Sequence, residues 1–501
     1  MKRRLTRALS LILAVLLLSA GLVACGEAPQ SPLVDATSET IAEKDTTDYV
    51  QLALDELGEI DWEGQEFTVL CRDGFADEIY AENKQLDKEA GASQVINDAV
   101  YERNSLFEDR CHLVFKHIPK DQTAVSMAVR NEAVASTGDF ILIDQRLGDT
   151  ASLATAGYLA DFYELDMDLE GEWWDSGTAE FILAGGVYFM SGSLNTNDDG
   201  VTYVLIFNKD MQETYKNTVP NPYDTVRRGE WTLAYFNTVI QGISAPNGDG
   251  KWDENDTYGF LTNWEYGNTF FIGSDLRYIN NTNSDGEITL FLSDSAQMEK
   301  ALAVLELSKA IYHNNNASYM SPAGQEPLGI AAFKDNRGLF FGEVVNHLTS
   351  LTQSMETEYG ILPVPKYDKA QEFYRTWTHP TGSTFSVTSA YPQEKAETIG
   401  LIIEAYAILS HQYLKPAYYD VMLTSRNVHD ADSAEMMDLM FSNRVYELSF
   451  YFIETFGFYD LFKTATNNTA DNVSSTYTGQ EKAFQRRLEG LLGSFEKGKD
   501  A

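Results

Sequence analysis

Glu66-Phe-Thr-Val-Leu-Cys71, followed by Val95-Ile-Asn-Asp-Ala-Val-Tyr-Glu-Arg-Asn-Ser-Leu-Phe-Glu-Asp-Arg110, sets the fold class. The first run is short, rich in β-branched and aromatic side chains, and stops at the turn pair Asp73-Gly74, as a strand does. In the second, Ile96, Val100, Asn104 and Phe107 recur at helical spacing. A second strand is predicted over Cys111–Ile118 and a second helix over Thr123–Ala135. A third strand, Asp139–Ile143, runs into Asp144-Gln145-Arg146. Strand, helix, strand, helix, strand predicts an α/β chain with a parallel sheet, and such sheets gather ligand groups at the carboxyl ends of their strands. Asp73, Gly74, Asp144, Gln145 and Arg146 stand at those ends and are candidate ligand-binding residues, the simpler role being polar loop and helix-capping positions. Cys71 falls late in one strand and Cys111 at the start of the next. In parallel neighbours they sit at opposite ends, which predicts two free buried thiols.

Upstream, Lys2, Arg3, Arg4 and Arg7 precede the apolar run Leu9–Leu18, too short for a permanent membrane span, so residues 1–24 read as a signal peptide. Leu22-Val23-Ala24-Cys25 closes it and resembles a bacterial lipobox, which predicts cleavage before Cys25 and acylation of its thiol. Residues 25–61 are rich in Ser, Thr, Glu, Asp and Pro, without apolar periodicity, and read as a flexible tether. The expected location is the extracytoplasmic side of the cell membrane, held by lipid. With 37 Lys+Arg against 75 Asp+Glu the net charge is −38, which excludes nucleic acid as a natural partner. An aromatic content of 12% is too high for a disordered acidic chain. From Trp62 onward the length suits two packed domains.

Further along, the segments fall into a familiar order. GDFILIDQRLGDTASLATAGYLADF (138–162) leads into Trp173-Trp174, then GGVYFMSGSL (185–194), VTYVLIFNKDM (201–211) with its Phe-Asn-Lys step, and GEWTLAYF (229–236). YGILPVPKYDKAQEFY (359–374) and PAYYDVMLTSRNVHDADSAEMMDLMF (416–441) follow. Together with the lipobox, this series resembles the extracellular solute-binding lipoproteins of bacterial ABC importers, of the family 1 kind. The resemblance implies a two-lobed, Venus-flytrap fold of the type II periplasmic-binding-protein class, with a helix-rich C-terminal region. Lobe 1 is expected at 62–205 plus 358–412 and lobe 2 at 206–357 plus 413–501, the strand at 359 returning to the first lobe. It also implies a monomer that closes by hinge motion around a small solute, probed by ABC permease subunits in the membrane.

Side chains suggest the solute. Aromatic faces suit the C–H faces of sugars, while Asn, Asp, His and Arg satisfy hydroxyls as a cleft dries. Trp264, with Asn263, Glu265 and Tyr266 after the strand Tyr258–Thr262, and Trp377, in Arg375-Thr-Trp-Thr-His-Pro-Thr381, are expected in cleft-facing loops. His379 is a hydrogen-bonding candidate. Trp231 is expected to pack a helix start and Trp62 the edge of the core. Asn195, Asn197 and Asp198 in SLNTNDDGVT either bind hydroxyls or make a plain turn. Ala245-Pro-Asn247-Gly-Asp249-Gly250-Lys-Trp-Asp253-Glu-Asn-Asp256 places Asn247, Asp249, Asp253 and Asp256 at calcium-loop positions, but Ala245 stands where the leading carboxylate belongs. That pattern fits a weak Ca2+ loop or a self-hydrogen-bonded Asx loop. No cofactor is required, and no Gly-x-Ser-x-Gly, His-Glu-x-x-His or phosphate-cradling Gly-x-x-x-x-Gly-Lys-Ser/Thr motif is present. The expected function is capture of a sugar or oligosaccharide for import, without catalysis. The alternatives are a surface glycoside hydrolase and a binding protein for a peptide or another polar solute.

Overall fold

The computed structural model describes Gln51 and residues 61–82, 92–175, 180–280, 288–313, 316–347, 351, 355–423, 430–468 and 473–499. The signal and tether segments, Cys25 with them, lie outside the described residues except at Gln51 and Asp61. Among the described residues no helix is long and apolar enough to cross a membrane.

The chain opens with β1 (Glu66–Arg72), α1 (Ala92–Cys111), β2 (Val114–Lys120), α2 (Gln122–Ala135), β3 (Leu142–Arg146) and α3 (Leu147–Thr155). β1 lies parallel to β2, from Glu66 opposite Val114 to Arg72 opposite Lys120, and parallel to β3 on its other side. Period-two alternation decides which residues face which layer. Phe67, Val69 and Cys71 join Phe107 of α1 and Phe115 of β2, whereas Leu70 joins Val125 and Val129 of α2 on the opposite face. Asp121 starts α2 by accepting from the Thr123 and Ala124 amides at 3.0 and 3.1 Å. Cys71 and Cys111 are free and buried, and burial pushes both thiols up to about 12.

The middle of the chain builds a second sheet. It supplies β4 (Tyr203–Asn208), α4 (Leu233–Ile240), β5 (Tyr258–Asn263), α5 (Tyr266–Gly273), the short ribbon β6 (Ile279–Asn280) with β7 (Thr289–Leu290), and α6 (Ser295–His313). It continues with β8 (Ser318–Ser321), α7 (Pro327–Lys334), β9 (Gly338–Val344) and β10 (Tyr359–Leu362). The strands are ordered β10-β4-β9-β5-β8. β10 therefore does not return to the first lobe as its sequence suggested: it pairs antiparallel with β4, Tyr359 opposite Asn208 through Leu362 opposite Leu205.

The return comes after β11 (Thr376–Trp377), when β12 (Ser383–Val387) adds antiparallel to β3, giving the order β12-β3-β1-β2. α8 (Ala396–Leu423) then covers the first sheet, its Tyr406 packing edge-on to Phe107 and tilted on Phe115, both at 5.2 Å. α9 (Ala431–Phe441) belongs to the second sheet, where the Ile361 amide donates to Ser433 Oγ at 3.1 Å. β13 (Arg444–Val445) pairs with β11, and α10 (Leu461–Asn467) and α11 (Val473–Lys499) complete the helix-rich end. α11 packs on both α6 and α3. The 358–377 stretch thus goes with the second sheet, and α8 leaves the first only at its end, where Tyr419 packs on Phe441 of α9 at 5.7 Å.

Candidate functional site

Two chain crossings between the sheets carry most of the chemistry. The first runs from Asn195 into β4; the second is the turn Thr378–Gly382, closed by the Gly382 amide on the His379 carbonyl at 2.8 Å. Glu78 fixes the first crossing by accepting from the Thr196 amide and hydroxyl at 2.6 and 2.9 Å. A Cβ at Gly200 would fall 2.2 Å from Asn346 Oδ1, so in this arrangement the crossing lies directly against the Asn346 side chain of the second lobe.

On the first lobe, Arg72 at the end of β1 donates to the Thr381 carbonyl at 3.2 Å and to Ser383 Oγ, and lies 3.9 Å from Asp144. Asn195 donates to Asp144 at 3.3 Å, and Asn197 to the Thr381 carbonyl at 3.1 Å. Arg72, Asp144, Asn195 and Asn197 are all buried, yet Arg72 Nε and Asp144 Oδ2 have no hydrogen-bond partner among the described residues. Burial pushes the Asp144 carboxyl up, against the pull of Arg72. Asp73 and Gly74 form the exposed turn just beyond, where the Gly74 amide donates to Asp73 at 2.8 Å.

Glu265 is the hub on the second lobe. It accepts from Tyr459 at 2.8 Å and Tyr203 at 3.3 Å, with His379 at 3.5 Å and Lys463 at 3.6 Å. Burial alone would raise its carboxyl, but His379, Tyr459 and Lys463 outweigh that and hold it down to about 2. His379 joins the two groups: one ring nitrogen meets Tyr459 at 2.8 Å and the other Thr381 at 2.9 Å. A continuous polar seam therefore runs from Arg72 to Lys463 through the second crossing.

Several sequence expectations need correction here. Trp377 is not on an open loop: it sits in β11, fully buried, stacked on Tyr203 at 4.8 Å, with its indole N–H donating to Thr269 at 3.0 Å. Tyr266 is likewise buried, at the start of α5, its hydroxyl donating to the Val204 carbonyl at 3.0 Å. Trp264 lies beside the seam, but Lys463 Nζ covers a face of its ring at 3.9 Å. Gln145 turns into the first lobe, donating to the Gln122 carbonyl at 2.8 Å and Ser126 at 3.0 Å, and Arg146 pairs with Asp149 at 3.0 Å. The loop at 245–256 is an Asx loop. Asp256 accepts from the Asn247 and Asp253 amides at 2.7 and 2.8 Å, Asn247 from Asp249 at 2.9 Å, and Asp249 from Lys251 at 2.8 Å. Among the described residues no three His, Cys, Asp or Glu side chains are grouped to hold a metal ion, so the calcium reading of this loop is not carried further.

A second polar group between the lobes escaped sequence reading. Arg444 in β13 pairs with Asp175 at 2.6 Å, Asp199 at 2.7 Å and Asp198 at 3.2 Å, and Lys415 of α8 pairs with Asp199. Burial alone would raise the Asp175 and Asp198 carboxyls; Arg444 and Lys415 hold Asp175 well down all the same, whereas burial, with Asp175 and Asp199 beside it, keeps Asp198 well up. This knot borders a cavity of about 690 Å³ between α8, the loop before Asp175 and the end of α9.

No family model matches the chain, and no curated protein matches it. Solved structures do. A cyclo/maltodextrin-binding protein complexed with maltotetraose superposes with a TM-score of 0.52, at 12% identity, over 86% of this chain and 96% of its own. The maltose-binding periplasmic protein MalE from Listeria monocytogenes in complex with maltose gives 0.50, at 14% identity, over 87% and 98%. At these identities the likeness concerns architecture, and the two-lobed α/β fold expected of a periplasmic binding protein is the fold observed.

Proposed function

We propose that this protein is the solute-binding subunit of an ABC importer, capturing a sugar or oligosaccharide in the cleft lined by the Arg72–Lys463 seam. The observation that carries the reading is the pair of buried, unpartnered atoms Arg72 Nε and Asp144 Oδ2 in a seam built by both lobes. A hydroxyl both accepts and donates, so sugar hydroxyls match the two atoms in kind. Contact with two lobes makes affinity depend on closure, which is how a receptor reports occupancy to a permease. The fold shared with maltodextrin- and maltose-binding proteins supports the same reading by analogy.

Cys25 is the proposed lipid anchor and residues 25–61 the tether, which would keep the receptor near its permease. Metabolic labelling with an alkyne fatty acid, lost in Cys25→Ser, tests the anchor. Calorimetric titration with neutral oligosaccharides, followed by chromatography of the sugar, tests the function. Saturable binding with the sugar recovered unchanged is expected. New reducing ends would make the protein an enzyme, and binding of peptides but no saccharide would move the solute class.

A further inference from the structure

The cavity of about 690 Å³ shares no lining residue with the seam. The short helix Asn197–Gly200 parts them: Asn197 reaches Thr381 on the seam, while Asp199, two residues on, reaches Lys415 and Arg444 at the cavity. Both lobes build its wall, with Trp174 and His411 from the first and Asp438, Phe441 and Arg444 from the second, and with Tyr419 of α8 packed on Phe441. The volume lies in the range that holds small-molecule ligands.

Its chemistry is selective. Trp174, Tyr419 and Phe441 offer apolar ring surface. Around them the acidic groups outnumber the basic ones, since Glu170, Glu172 and Asp438 join the knot, where three aspartates already face Arg444 and Lys415. An anion is therefore disfavoured. Arg444 and Lys415 stand in the same wall, so a purely cationic ligand meets like charge there. A neutral group that both accepts and donates, on a body with C–H faces for the rings, satisfies all three conditions. We infer that this cavity is a second binding site, for a neutral polyhydroxylated ligand of saccharide type, separate from the cleft.

Calorimetry on the full chain with maltose, cellobiose, xylobiose and mannobiose tests this, using Tyr419→Ala and Asp438→Asn at the cavity and His379→Ala at the seam. Asp438 is exposed and Tyr419 partly so, which lets both variants fold. Circular dichroism melting checks that they do. The expected result is one equivalent of a disaccharide whose affinity falls at least tenfold in either cavity variant and is unchanged in His379→Ala. A second equivalent with the opposite dependence would belong to the cleft. Binding weakened only by His379→Ala overturns the cavity site and leaves the cleft reading standing. Absence of binding by any of the four overturns the cavity assignment, whereas the cleft reading still rests on longer oligosaccharides.

Discussion

The seam and the knot both lie between the lobes, and both are polar and largely buried, yet they are built for different ends. In the knot three aspartates close on two cations, with Arg444 touching all three. In the seam the groups are spread along a line and one carboxylate serves several donors. Seam and knot each keep two buried atoms without a hydrogen-bond partner among the described residues, Arg72 Nε and Asp144 Oδ2 in the seam, Arg444 Nε and Asp198 Oδ1 in the knot. A buried charge cluster holds its members because each would be costly alone. A line of polar groups spread along a crossing offers a ligand several separate contacts. The difference is one of charge density: the knot concentrates ion pairs at one point, and the seam distributes its groups over both lobes.

Removing Arg444 is the hardest blow to this contrast. Arg444→Met leaves Asp175, Asp198 and Asp199 with Lys415 alone, and is expected to cost about 3–5 kcal/mol in chemical denaturation. Trp377→Ala should do comparable harm, about 3–5 kcal/mol, by emptying the stack on Tyr203, because the ring is core and not a solute platform. His379→Ala should show the reverse profile: solute affinity down about tenfold in calorimetry, with the unfolding midpoint nearly unmoved. The smallest effect is a pH dependence. Glu265 has its carboxyl depressed from 4.5 to about 2, so its contribution to stability is present above the unfolded value and is lost as pH falls from about 4.5 through about 2. Glu265→Gln should flatten that part of the stability curve, as followed by acid titration of the melting temperature.

The first sheet was legible because its signals are local. β1, α1, β2, α2 and β3 each follow from periodicity and a cap, and a parallel order is what helical crossovers demand. β10 misled because Tyr359–Leu362 reads as a strand whichever sheet it joins, and its partner β4 lies far back in the chain. Trp377 misled for a related reason: Thr-Trp-Thr-His-Pro looks like a loop until Arg444–Val445 pairs with it. Of the candidate site, Asp144, Asn195, Asn197 and His379 were nominated from the ends of strands and from turn chemistry, and the structure brings them to one seam. Arg72, Tyr459 and Lys463 were not nominated; Glu265 was expected only as a neighbour of Trp264 in a cleft-facing loop, and of the knot only Asp198 was named, as a hydroxyl partner or turn residue. Asp198 and Asp199 carry a turn signal in Asn-Asp-Asp-Gly, which hides their charge pairing with Lys415 and Arg444, more than 200 residues on.

The two-lobed clamp is most directly tested by hydrogen–deuterium exchange of the full chain with and without a saccharide that binds it. Protection should rise together in peptides covering 72–75 and 378–383 and in those covering 263–265 and 459–463. Protection confined to one lobe, or none in either with binding saturated, would contradict capture between them.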